Sequence, residues 1–110
     1  MKFIPISKPS ITKKEVDYVS KAVSSGWVSS LGKYIEKFEN QFAKYCKVKR
    51  AVSVSSGTTG LHLAMEAIGV GPGDEVIIPD LTFIATANAV TYTGAKVVTV
   101  DIEKDTLCIC

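Results

Sequence analysis

Arginine is nearly missing: 12 of the 13 basic residues are lysine, and Arg50 stands alone. Planar, two-pronged recognition of phosphate or nucleic acid by guanidinium groups therefore has almost nothing to work with. The formal net charge is only +2, and the lysines are dispersed (Lys13, Lys14, Lys33, Lys37, Lys47, Lys49), as on a solvated surface rather than a nucleic-acid face. Cysteine is scarce as well. Cys46, Cys108 and Cys110 are an odd three without C-x-x-C spacing, which argues against a disulfide framework. Cys108-x-Cys110 without partners is a poor metal site, and a reducing cytoplasm is the expected setting. No apolar run approaches the ~20 residues that a membrane helix needs. The start, Met1 to Ser7, has one basic residue and no apolar core of secretory-signal length. Neither G-x-G-x-x-G nor Gly-Lys-Ser/Thr occurs, so the dinucleotide fingerprint and the P-loop are both excluded. No internal repeat, low-complexity stretch or linker interrupts the chain.

What remains is an ordinary globular balance: 110 residues, 46% hydrophobic and 22% charged, enough for one small domain. Thr12 followed by Glu15 reads as a capping box. It opens a helix whose apolar positions Val16, Val19, Ala22 and Val23 keep helical spacing, with Gly26 as a natural stop. A Ser- and Gly-rich loop runs from Trp27 to Lys33, and Ile35, Phe38, Phe42 and Tyr45 line one face of a second helix. Leu61, Ala64, Met65 and Ile68 give a third helix stopped at Gly69. A fourth spans Phe83 to Tyr92, ends at Gly94, and is rich in small residues (Ala85, Ala87, Ala89), so it can approach its neighbours closely. Three strands are expected: Ala51–Val54, Glu75–Ile78 after the tight turn Gly71-Pro72-Gly73-Asp74, and Lys96–Val100. The runs Val76-Ile77-Ile78 and Val97-Val98-Thr99-Val100 are continuous rather than alternating, as suits parallel strands buried on both faces. Three strands leave an unpaired edge and uncovered apolar surface, so the chain reads as the amino-terminal piece of a larger α/β domain.

Between Arg50 and Asp101 the chain twice runs strand, sharp turn, helix. The turns are Ser55-Ser56-Gly57-Thr58-Thr59-Gly60 and Pro79-Asp80-Leu81-Thr82-Phe83. If the feeding strands are parallel, both turns emerge at one carboxyl edge, where α/β sheets bind ligands. Gly57 permits close backbone approach, and the amides of Gly57 and Thr58, with the Ser56 hydroxyl, could face an anion. An ordinary Ser cap would use the same residues. Phe83 is either a core ring or a stacking surface. A phosphate cradle beside a ring suggests a flat, phosphorylated cofactor. Trp27 is the single tryptophan and by itself reads as a core anchor. His62 has no nucleophile or carboxylate partner in the pattern and is assigned no chemistry, while Asp80 is more simply a turn former than an acid or base.

Three blocks carry a family resemblance: Ser56-Gly57-Thr58-Thr59-Gly60-Leu61-His62-Leu63-Ala64, Gly71 through Pro79, and Thr82 through Val90. They resemble the DegT/DnrJ/EryC1/StrS sugar aminotransferases. Gly26 through Tyr34 and the ending Asp105-Thr106-Leu107-Cys108-Ile109 look most like the branch that makes GDP-perosamine. The resemblance implies the large domain of the aspartate aminotransferase fold (fold type I). Residues 1–49 would be its helical amino-terminal segment and residues 50–110 its first strand-helix units. It implies pyridoxal 5′-phosphate (PLP) as cofactor, held through Ser56, Gly57 and Thr58, with Phe83 against the pyridine ring. It brings Trp27, Ser29 and Ser30 near a sugar-nucleotide site.

The implied reaction moves an amino group from glutamate to a keto nucleotide-sugar, with GDP-4-keto-6-deoxymannose to GDP-perosamine as the expected case, in a cytoplasmic homodimer serving surface polysaccharide such as O-antigen. The family's Schiff-base lysine and its pyridine-pairing aspartate lie further along than this sequence reaches, and no lysine here sits in a strand-end apolar setting. No catalytic residue is therefore assigned within the chain, and the 110 residues alone are expected to be inactive. Two alternatives stand beside this reading. One is a sugar dehydratase of the same family, using PLP or its amine form, in which histidine replaces the lysine. The other is a non-catalytic protein that binds a phosphorylated ligand.

Overall fold

The computed structural model describes residues 3–110 and divides into two units, one ending at Ser53 and one running from Val54 to Cys110.

In the first unit, α1 is Lys13–Ser24 and starts at the capping box: the Thr12 amide donates to Glu15 Oε2 at 2.7 Å, and the Lys14 amide donates to Thr12 Oγ1 at 3.3 Å. The hydroxyl and amide of Thr12 together hold the Glu15 carboxyl below its ordinary value. The apolar stripe Val16, Val19 and Val23 is exposed. α2 is Lys33–Cys46, amphipathic as its spacing predicts, with the Phe38 and Phe42 rings stacked at 5.5 Å and Ala43 buried. Its end is a Schellman closure. The Val48 amide reaches the Ala43 carbonyl at 3.0 Å, and Lys47, not glycine, takes the left-handed position at φ 57°. Tyr18 of α1 meets Tyr34 of α2 edge to face at 6.3 Å, and the Lys37 ammonium donates to the Tyr18 hydroxyl at 3.0 Å. That bond pulls the Tyr18 phenol below its ordinary value and holds Lys37 above its own.

The second unit contains α3 (Gly57–Ala67), β1 (Glu75–Pro79), α4 (Ile84–Tyr92) and β2 (Lys96–Val100). β1 and β2 pair in parallel, Glu75 opposite Lys96 through Pro79 opposite Val100, with α4 as the crossover. The ladder continues one step past the strands, the Asp80 amide donating to the Val100 carbonyl at 2.9 Å. Ile78, Val90 and Ala95 form the core, and Met65, Val70, Val76, Ala87 and Val97 pack around them. The small-residue helix approaches as closely as its composition predicts: Ala89 is wholly buried. At Gly94, with φ 81°, an added Cβ would lie 3.0 Å from Pro72 Cγ, so the turn into β2 needs both the left-handed backbone and the missing side chain.

Three expectations are corrected. Residues 51–54 are not a strand, and the sheet has two strands, not three. A strand needs a neighbour for its amides, whereas the Ser53 amide goes to a side chain, Glu39. The argument that both turns leave one carboxyl edge therefore holds only for the turn after β1. Nor is β1 buried on both faces: Ile78 is 4% exposed but Ile77 is 61% exposed, because α4 covers one side only. Lastly, Phe83 is the N-cap of α4 rather than its first residue. The sequence reading had no element beyond Val100, yet Ile102 and Ile109 form an antiparallel bridge around a turn in which Leu107 has φ 57°.

Candidate functional site

The start of α3 is built from hydroxyls. Ser56 is in extended backbone as N-cap, and its Oγ accepts the Thr59 amide at 3.3 Å. Thr59 Oγ1 lies 2.7 Å from Ser56 Oγ and 3.1 Å from Ser55 Oγ, so three hydroxyls make one small network. The cap is real, but it satisfies only part of the helix end. Among the described residues no acceptor meets the amides of Gly57 and Thr58. A Cβ built on Gly57 would meet nothing within 4 Å, so the space beside the first amide is open. No acidic side chain stands in the first turn to repel an anion. Open amides, hydroxyl donors and an uncovered approach together fit a phosphate group.

Phe83 stands at the start of α4 in the same unit. Phe83 is 79% exposed, so it is not packed into the core of this unit. The backbone beneath it is fixed: the Thr86 amide donates to the Phe83 carbonyl at 3.0 Å, and Thr82 and Thr86 hydroxyls lie 3.0 Å apart. α3 and α4, which carry the two features, pack against each other.

Trp27, Ser29 and Ser30 belong to the other unit. Trp27 is more than half exposed and lies over Gly32, where an added Cβ would come within 3.1 Å of Trp27 Cε3. Within this unit the ring rests on its own loop. With Ser30, Glu36, Glu39 and Val52 it borders a groove of about 540 Å³. Ser29 turns away to its own loop, its Oγ accepting the Leu31 amide at 3.4 Å. A second groove of about 410 Å³, between Tyr18, Tyr34, Lys37 and Phe38, contains none of these residues; it is the uncovered apolar side of α1 and α2.

His62 is paired locally, Nε2 lying 3.3 Å from Glu66 Oε1 with its ring beside Tyr92. Every lysine among the described residues is exposed. Among these residues no group of His, Cys, Asp and Glu could hold a metal ion, the three cysteines are free and exposed, and no helix is long and apolar enough to cross a membrane.

Two features escaped the sequence reading. Ser55 and Thr59 lie in the turn that the sequence singles out, but the joining of their hydroxyls into one network with Ser56 was not read from it. Glu39 was missed altogether: its Oε1 accepts both the amide and the hydroxyl of Ser53, at 2.8 and 2.9 Å. Those bonds, the amide's first, hold the Glu39 carboxyl below its ordinary value.

A sequence profile of the DegT/DnrJ/EryC1/StrS aminotransferase family matches residues 9–110. The chain is 52% identical over 106 residues to GDP-perosamine synthase of Escherichia coli O157:H7, covering 96% of this chain and 29% of that protein. It is 50% identical over 103 residues to GDP-perosamine synthase of Caulobacter vibrioides, covering 94% and 28%. A protein assigned as a sugar aminotransferase from Streptococcus pneumoniae, solved in its PLP form, superposes with a TM-score of 0.82 at 38% identity, over 94% of this chain and 26% of that one. The chain thus spans little more than a quarter of the length of these relatives.

Proposed function

This chain belongs to the DegT/DnrJ/EryC1/StrS aminotransferase family, and on that premise we propose that it forms the amino-terminal part of a PLP-dependent nucleotide-sugar aminotransferase. Its α/β architecture is that of fold type I PLP-dependent sugar aminotransferases. In this reading residues 1–49 are the helical entry to the large domain and residues 50–110 are its first strand-helix units. The observation that carries the proposal is the start of α3, where two unpartnered amides, hydroxyl donors and open space coincide. When bound, PLP supplies the electron sink that lets an amino group pass between an amino acid and a ketone. The chain's own residues would do the holding. Gly57 and Thr58 amides and the Ser56 hydroxyl would bind the phosphate, and Phe83 would lie against the ring. Trp27, Ser29 and Ser30 are proposed to meet the sugar nucleotide.

The exposure of every described lysine supports assigning the covalent cofactor-binding role to none of them. The relatives named GDP-perosamine synthase support GDP-perosamine as product. GDP-4-keto-6-deoxymannose as acceptor and glutamate as donor belong to the same proposal. A cytoplasmic homodimer working in polysaccharide biosynthesis is part of the same proposal. The test is transfer of ¹⁵N from labelled glutamate to GDP-4-keto-6-deoxymannose by the full-length protein, followed by mass spectrometry. A labelled amino sugar nucleotide that forms only with PLP is the expected result; absence of labelled product contradicts the proposal.

A further inference from the structure

β1 hands the chain to α4 through Asp80, Leu81, Thr82 and Phe83, and this short connection is pinned at both ends. At its start the Asp80 amide donates to the Val100 carbonyl at 2.9 Å, one step past the paired strands. At its end stands Phe83, the N-cap of α4, in extended backbone with φ −70° and ψ 139°. The N-cap position favours Ser, Thr, Asp and Asn, whose side-chain oxygen accepts an amide of the first helical turn. A phenyl ring has no such atom. The turn is closed instead by bonds on either side of the ring. Thr82 Oγ1 and Thr86 Oγ1 lie 3.0 Å apart, and the Thr86 amide donates to the Phe83 carbonyl at 3.0 Å. Thr86 is itself held by the helix that follows it: Ala87 packs on the core, and Ala89 and Val90 are wholly buried.

We propose that Thr86 is a positioning residue: by bonding Thr82 it ties the chain before Phe83 to the fixed body of α4, and so holds the phenyl ring where it meets the cofactor ring. The inference rests on the proposed contact between Phe83 and PLP, and it adds the residue that aims that contact. All the atoms concerned belong to the unit running from Val54 to Cys110. Aromatic contacts depend on ring separation and offset, so their worth falls when the backbone beneath a ring can drift. With that backbone held on both sides, only the two staggered side-chain torsions of Phe83 are left to set the ring.

The experiment titrates PLP into the cofactor-free full-length protein and its variants, following the absorbance of the bound cofactor. Hydrogen exchange of the peptide spanning residues 80–87 is measured before PLP is added. Thr86→Val keeps the size and branching of the side chain and nearly the same helix propensity, and removes the hydroxyl. It is expected to weaken PLP binding roughly threefold, less than the roughly fivefold of a whole aromatic contact, and to speed the exchange. Thr86→Ser is expected to stay near wild type in both. Thr82→Val removes the same bond from its other end and should match Thr86→Val; it carries the test if Thr86→Val does not fold. The deciding comparison is made in Phe83→Ala, where the valine should cost no further affinity because no ring is left to aim. An equal loss with and without Phe83 shows a general structural role and overturns the proposal. So do wild-type affinity or wild-type exchange in the valine variant, and a Thr86→Ser variant as impaired as Thr86→Val. If the wild-type protein takes up no PLP, or Phe83→Ala binds it equally well, the ring contact falls and the positioning role falls with it. A loss in Phe83→Ala without one in the valine variant overturns the positioning role alone.

Discussion

A valine at position 57 would place two methyl groups in the open space beside the first amide of α3. Gly57 is the first residue of the helix and valine is a better helix former than glycine, so the fold should accept the change. Gly57→Val is therefore expected to weaken PLP binding by ~1–3 kcal/mol through lost charge-assisted hydrogen bonds, while thermal stability is retained. Phe83→Ala should cost less, ~1 kcal/mol, the size of one aromatic contact. Cofactor titration of the folded variants measures both, and unchanged affinity in Gly57→Val contradicts the cradle. At this scale the sequence was readable where partners are close along the chain. The Thr12–Glu15 box and the Ser56 cap each join residues three apart or fewer, and both are found as their spacing predicts. The Glu39–Ser53 and Lys37–Tyr18 bonds span fourteen and nineteen residues, and no spacing rule announces such pairs.

The helices were legible because each brings its own periodicity, cap and stop. The segment 51–54 was not, because its composition suits a strand but strand formation is decided by a neighbour. The closing bridge of Ile102 and Ile109 was hidden for a related reason: its turn rests on Leu107 in a left-handed conformation that leucine rarely adopts. Lys47 poses the same question at the end of α2, where the Schellman closure puts a non-glycine residue at φ 57°. A left-handed lysine is strained by ~1 kcal/mol, so Lys47→Gly should stabilise the protein by up to that amount. Denaturant unfolding of the two proteins checks this. A Lys47→Gly protein less stable than wild type would show that the lysine side chain makes up for the strain.

Large apolar side chains remain uncovered in both units: Val19, Phe38 and Phe42 in the first, Ile77 and Phe83 in the second. The expectation of uncovered apolar surface came from strand count and helix faces, and these exposures agree with it. Family membership was legible because the motif blocks fall where backbone geometry is demanding: a helix start, a tight turn, and the entry to α4. The acceptor sugar was not, because specificity depends on how loops meet a ligand, which no local pattern encodes. The central claim is that this chain cradles the cofactor phosphate while the covalent link to the cofactor is made elsewhere in the protein. Borohydride reduction of the PLP-loaded full-length protein, followed by peptide mapping, tests it most directly. The account predicts one stoichiometric label on a lysine outside residues 1–110. A label on any lysine within these residues, or no retained cofactor at all, would contradict it.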